Sequence, residues 1–99
     1  MKCVRSDLDG QVRLKIEGSL DALTARDVRP IFDQVVAERP KHVTVDLEAL
    51  TLIDSSGVGA IVSLFKRVKA EGGQVVVAHA QDQPLAVLKL LKLDRVFGL

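Results

Sequence analysis

The sequence has no tryptophan, no tyrosine and only three phenylalanines. Proteins that hold single-stranded nucleic acid without base readout stack bases on aromatic rings, and this chain has few such platforms. The single cysteine, Cys3, cannot form an internal disulfide or a cysteine metal site, and it stands too near the start to belong to a catalytic arrangement. A lone free thiol fits a reducing compartment. Neither sign of charge dominates: 14 Lys and Arg against 13 Asp and Glu leave a formal net charge of +1. That balance supplies no bulk attraction to nucleic acid or to a membrane surface. No apolar run approaches a membrane span, and Met1 to Asp7 contains no stretch that could act as a signal peptide. These absences imply a cytoplasmic domain with no nucleic-acid partner and no direct membrane insertion.

What is present is ordinary in amount and informative in order. At 99 residues, 47% hydrophobic and 27% charged, the chain can build one core and no second one, so residues 1–99 are read as one domain. No internal repeat or low-complexity linker interrupts it. Gln11 to Glu17 alternates polar and apolar residues, the mark of a half-buried strand. Asp9-Gly10 before it is a hairpin signal that pairs it with a short strand in Lys2 to Asp7. Gly18 and Ser19 end the strand. Val28, Ile31, Phe32, Val35 and Val36 follow helical spacing up to Pro40, and Pro30 requires either a late helix start near Asp27 or a kink.

His42 to Leu47 returns to period two as a central strand. After Glu48 to Asp54, the residues Val58, Ile61, Val62, Phe65 and Val68 mark the inner face of a second helix, with Ala60, Ser63, Lys66, Arg67 and Lys69 largely outside it. Gly72-Gly73 stops that helix. Gln74 to Ala78 is a β-branched buried strand. Asp82 as cap and Pro84 in the first turn open a last helix with Leu85, Leu88 and Leu91 as its buried stripe. Strands alternating with helices predict parallel pairing through right-handed crossovers, with an antiparallel strand added at the N-terminus. The fold class is α/β: a mixed, mostly parallel sheet of four or five strands with helices mainly on one face.

The junction Leu52-Ile53-Asp54-Ser55-Ser56-Gly57-Val58-Gly59 holds the chemistry. Serine and aspartate at a helix start are preferred N-caps, and spacing alone favours that role. A phosphate on a hydroxyl there would add about −1.5 to −2 charges beside the unpaired N–H groups of the helix opening, so the same segment also reads as a phosphorylation switch. Other chemistries fit less well. Gly57-Val58-Gly59 could begin a dinucleotide fingerprint, but Val62 occupies the place of its third glycine. His42 and His79 lack a cysteine or second histidine at ligand spacing, so neither a metal nor any other cofactor is expected. No glycine stands two positions before Ser55 or Ser56, which excludes a nucleophile elbow. The pattern is that of a binding module, not an enzyme.

With this order of elements, the chain resembles the STAS domain, the fold shared by sulphate-transporter tails and bacterial anti-sigma-factor antagonists. The resemblance rests on Gly18-Ser19-Leu20-Asp21 with Thr24-Ala25, on Val43 to Leu47, on Asp54-Ser55-Ser56-Gly57-Val58-Gly59, on Gly72-Gly73 with Val75-Val76-Val77, and on Leu93 to Phe97. Ser19 departs from it, since the family usually has glutamate there. The resemblance implies an anti-sigma-factor antagonist: unphosphorylated, it binds an anti-sigma factor that is also a serine kinase, and a metal-dependent serine phosphatase reverses the kinase's action. It implies Ser55 as acceptor, with Ser56 the runner-up and more simply a helix cap. Partner contacts fall on Asp21, Thr24, Asp54, Ser55, Ser56, Gly57, Val58 and Gly59, with Asp21 equally readable as a cap of the first helix. Relatives of another class are subunits of lipid or anion transport systems, which often lack a serine in the acceptor place. A partner-switching module controlling secretion or motility would carry the same sequence features.

Overall fold

The computed structural model describes residues 1–99. Its elements are β1 (Lys2–Leu8), β2 (Gln11–Leu20), α1 (Ala25–Ala37), β3 (His42–Asp46), β4 (Leu50–Ile53), α2 (Ser55–Ala70), β5 (Gln74–Ala78) and α3 (Asp82–Leu90). They form the mixed α/β architecture expected, with one five-stranded sheet in the order β1-β2-β3-β5 and β4 paired to β2 off that path. Only the β1–β2 pair is antiparallel. Asp9 and Gly10 link it with φ of 53° and 78°, the left-handed pair that a two-residue hairpin of type I′ needs.

Alternation along β2 sends Val12, Leu14 and Ile16 into the core and leaves Gln11, Arg13 and Lys15 exposed. Val43 and Val45 of β3 and Val75 and Val77 of β5 join the same core, together with Val28, Phe32 and Val35 of α1 and Ile61, Leu64 and Val68 of α2. No helix is long and apolar enough to cross a membrane.

Local readings of the sequence need correction in several places. β2 does not stop at Gly18-Ser19; it runs through an irregularity there to Leu20, because β4 takes up pairing with its last residues. β4 itself falls in Glu48 to Asp54, a stretch given no element from the sequence, since Leu50 and Ile53 are buried while Thr51 and Leu52 are not, a pattern without alternation. α1 starts at Ala25, ahead of Asp27, and continues through the exposed Pro30. Its direction is set before the proline, by an N–H from Ala25 to the Asp21 carbonyl at 2.8 Å.

On α2 the buried residues include Ala60 and Leu64, whereas Val62 and Phe65 are only half-buried. α2 packs against α1 as well as β5 and β4, so its buried arc is wider than a single stripe. Asp82 is the first residue of α3 and not its cap; Gln81 holds the cap position, without a side-chain bond. Leu88 is fully buried but Leu91 is 50% exposed, because the helix has already ended at Leu90. β5 is an edge strand, and its Val76 is half-buried between the buried Val75 and Val77.

Candidate functional site

Asp54 leaves β4 with extended backbone, φ −116° and ψ −172°, and caps α2. Its Oδ1 accepts the Gly57 N–H at 3.0 Å, and its Oδ2 accepts the Ala22 N–H at 3.2 Å. The Asp54 N–H donates to the Leu20 carbonyl at 3.2 Å. One residue therefore joins the end of β2, the turn after it and the opening of α2. This corrects the reading of Ser56 as the cap: aspartate outcompetes it from one residue outside the helix, where extended backbone aims the carboxylate back at the N–H groups.

Ser55 is the first residue of α2, exposed and free of the capping role, while Ser56 behind it is half-buried. The Gly57 N–H is occupied by Asp54, and the Val58 N–H closes the first helical bond to the Asp54 carbonyl at 2.9 Å. The N–H groups of Ser55 and Ser56 are left at the open end, where the helix dipole favours an anion. Gly57 makes the position of this helix possible. A Cβ there would stand 2.4 Å from the Leu20 carbonyl oxygen and 2.8 Å from the Ile53 side chain. Gly59 has nothing within 4 Å of such a Cβ, and it is exposed.

The turn between β2 and α1 is held by its own side chains. Asp21 Oδ1 accepts the N–H groups of Leu23 and Thr24, each at 3.0 Å. The Thr24 hydroxyl accepts the Asp21 N–H at 2.9 Å and donates to the Ser19 carbonyl at 2.9 Å. The bond from the Thr24 N–H, aided by those from Leu23 and the Thr24 hydroxyl and opposed by desolvation, holds the Asp21 carboxyl below the usual aspartate range. Asp21 thus closes the turn, and the N-cap of α1 is Thr24, which makes no side-chain cap bond.

Of the residues read as partner contacts, Ser55 and Gly59 are exposed, Asp21, Thr24, Asp54 and Ser56 are partly exposed, and Gly57 and Val58 are buried. The buried two position the helix. Residues that the sequence reading passed over also stand here. Leu23, at the tip of the turn, is 74% exposed and Leu52 on β4 is 46% exposed. An apolar residue inside an otherwise polar turn, Asp21-Ala22-Leu23-Thr24, is the signal that could have singled out Leu23. The Gln83 amide, from the first turn of α3, bonds both the N–H and the carbonyl of Ile53 at 2.9 Å, fixing the strand that leads into Asp54.

A second polar cluster forms where β3 ends. Asp46 is buried, at 4% exposure. Its Oδ2 accepts from the Arg13 guanidinium at 2.8 Å, and its Oδ1 accepts from the Glu48 N–H at 3.0 Å and meets His79 Nδ1 at 3.2 Å. Burial opposes ionisation of Asp46, but the Glu48 N–H, Arg13 and His79 together outweigh it and hold the carboxyl below its ordinary range. Asp46, Glu48 and His79 bring one possible metal-ligand atom each within 4.8 Å of one another. Both Asp46 oxygens already have partners, so the cluster serves as a tie between β2, β3 and the end of β5.

Set against known proteins, a family model for the STAS domain matches residues 5–99. The chain belongs to the STAS family. It is 30% identical to an anti-sigma F factor antagonist of Paenibacillus polymyxa over 89 residues, covering 89% of this chain and 74% of that one. It is 26% identical to the anti-sigma-F factor antagonist RsfB of Mycobacterium tuberculosis, covering 94% of this chain and 78% of the relative. The solved structure of an anti-sigma factor antagonist from Mycobacterium paratuberculosis superposes with a TM-score of 0.85 at 25% identity, over 97% of this chain and 81% of that one. In this STAS domain the turn after β2 and the opening of α2 meet where Asp54 accepts the Ala22 N–H, with Ser55 next in the chain.

Proposed function

We propose that this STAS domain is an anti-sigma-factor antagonist, a binding regulator and not an enzyme, whose hold on an anti-sigma factor with serine-kinase activity is controlled at Ser55. The observation that carries this reading is the division of labour at the start of α2. Asp54 does the capping, so the exposed Ser55 hydroxyl is spare for chemistry, in a rigid frame built by Asp54, Ala22 and Gly57. The similarity to antagonists across most of the chain supports it.

Phosphorylation changes the face without needing to unfold it. The charged side chains that hold the frame are carboxylates, Asp21 and Asp54, and a phosphate adds to their negative charge. The N–H groups of Ser55 and Ser56 at the open end of α2 can donate to the phosphate oxygens locally. A partner that docks on the unmodified face must then desolvate a dianion or meet it with like charge, which can cost several kcal/mol. The kinase adds the phosphate and ends the association; a serine phosphatase restores it. Incubation with the partner kinase and ATP, followed by peptide mapping, tests the assignment. One phosphate on Ser55 is the expected result, and undiminished modification of Ser55→Ala would place the acceptor elsewhere.

A further inference from the structure

The sheet has unpaired flanks on β1, β4 and β5, and the last two carry covers. Along β4 the Gln83 amide takes both the N–H and the carbonyl of Ile53. Along β5 the Phe97 carbonyl takes the Val77 N–H at 3.0 Å. The outer flank of β1 has no such cover: no backbone bond from outside the β1–β2 ladder reaches Lys2 to Leu8.

The hairpin determines which groups point outward. A two-residue turn joins its flanking residues by backbone bonds, so Leu8 bonds Gln11, and by alternation Ser6, Val4 and Lys2 also face β2. The N–H and carbonyl groups of Cys3, Arg5 and Asp7 therefore face outward, and all three residues are at least partly exposed. β1 is seven residues long with an unbroken register and no proline, so it lacks two of the usual devices that blunt an edge.

Charge is a third such device, and here it selects a partner. Arg5 and Asp7 lie opposite Leu14 and Val12, on the face that carries the helices, and Arg5 Nε is 2.9 Å from Asp7 Oδ1. The pair is self-complementary. When a second β1 is added antiparallel about a two-fold axis at Ser6, Arg5 of each copy stands opposite Asp7 of the other, at positions that exchange two backbone bonds. Ser6 meets Ser6. On the outer face Val4 meets Leu8, which are 41% and 75% exposed in the single chain. A slip of two residues would set Arg5 against Arg5, and like charges directly opposite are destabilising.

We infer that β1 is a self-association edge, through which two copies of this chain join their sheets in this register. The contact runs only from Val4 to Leu8 on each side, far short of a standard interface of about 1,600 Å², so the association is weak and reversible. These residues pair with the start of β2, whereas the Asp21 turn follows its end, so both Ser55 faces of the pair stay open.

The test is sedimentation of the full chain from about 10 μM to about 1 mM, with ¹⁵N amide shifts over the same range. The mass should be that of a monomer at the low end and should rise toward a dimer at the high end. Concentration-dependent shifts should centre on Val4 to Leu8, and an isotope-filtered NOE should connect the Ser6 Hα protons of labelled and unlabelled copies. Arg5→Asp and Asp7→Arg each set like charges opposite one another and should weaken association about tenfold at low salt. An equimolar mixture of the two variants should restore it, because every opposed pair again has opposite signs. Dispersed amide spectra establish that each variant is folded. A monomer at about 1 mM, shifts on another face, single variants that associate as strongly as the parent, or a mixture no stronger than its components would each overturn the inference.

Discussion

Asp54 and Ala22 stand 32 positions apart, yet the carboxylate of one accepts the backbone N–H of the other at 3.2 Å. The same carboxylate caps α2 through Gly57 at 3.0 Å. Removing it should therefore have two effects. Asp54→Ala is expected to lose about 1–2 kcal/mol of stability, the usual cost of a lost cap, read as a lower urea midpoint with unchanged slope. It should also free the Asp21-to-Thr24 turn, and so weaken kinase binding more than Ser55→Ala does. Asn at this position can still accept the Gly57 N–H and should recover much of the stability.

The two glycines beside the acceptor should respond in opposite ways. Gly57→Ala would drive a methyl group to 2.4 Å from the Leu20 carbonyl oxygen, forcing α2 away from β2. A loss on the order of 1–3 kcal/mol is expected, as for other overpacked sites. Gly59 sits within α2 in open space, and Gly59→Ala should stabilise the fold by roughly 0.5–1 kcal/mol through helix propensity and backbone entropy. Thermal unfolding of the pair checks both signs, and equal shifts in the same direction would contradict the packing described.

Acid should loosen the tie at the end of β3. Because the Asp46 carboxyl is held below its ordinary range, its contribution to stability is present above the unfolded-state value and is lost as pH falls through the lower folded-state value. Asp46→Asn should cost about 2 kcal/mol near neutral pH, the scale of a hydrogen-bonded charged group; the partial exposure of Arg13, 45% for its side chain, keeps it from reaching the cost of a fully buried pair. The difference between parent and variant should shrink as pH is lowered below the usual aspartate range. A difference independent of pH would show that Asp46 acts by shape alone.

Much of this arrangement was legible from the chain. The period-two segments gave β2 and β3, Asp9-Gly10 gave the hairpin, and Gly72 marks the end of α2, with its N–H bonded to the Lys69 carbonyl at 3.0 Å. The parts that were not legible share a cause, which is that tertiary contacts decided them. β4 is four residues long and exists because the end of β2 offers it an edge. The buried arc of α2 shifted because α1 lies beside it. Asp54 and Ser56 were both credible caps, and the extended backbone of Asp54 chose between them. The links from Asp54 to Ala22, from Gln83 to Ile53 and from Asp46 to His79 cross 32, 30 and 33 positions respectively, and no local pattern announces them.

The central claim is that one phosphate on Ser55 decides whether the anti-sigma kinase is held. Isothermal titration calorimetry of that kinase from the same organism, with unmodified protein, protein phosphorylated at Ser55 and the variants Ser55→Ala and Ser55→Asp, tests it most directly. Ser55→Ala should bind like the parent, since its hydroxyl does no capping. The phosphorylated protein should bind at least about a hundredfold more weakly, the equivalent of roughly 3 kcal/mol, and Ser55→Asp should fall between, having less charge than a phosphate. Equal affinities for the phosphorylated and unmodified protein would contradict the switch and leave a constitutive binding module.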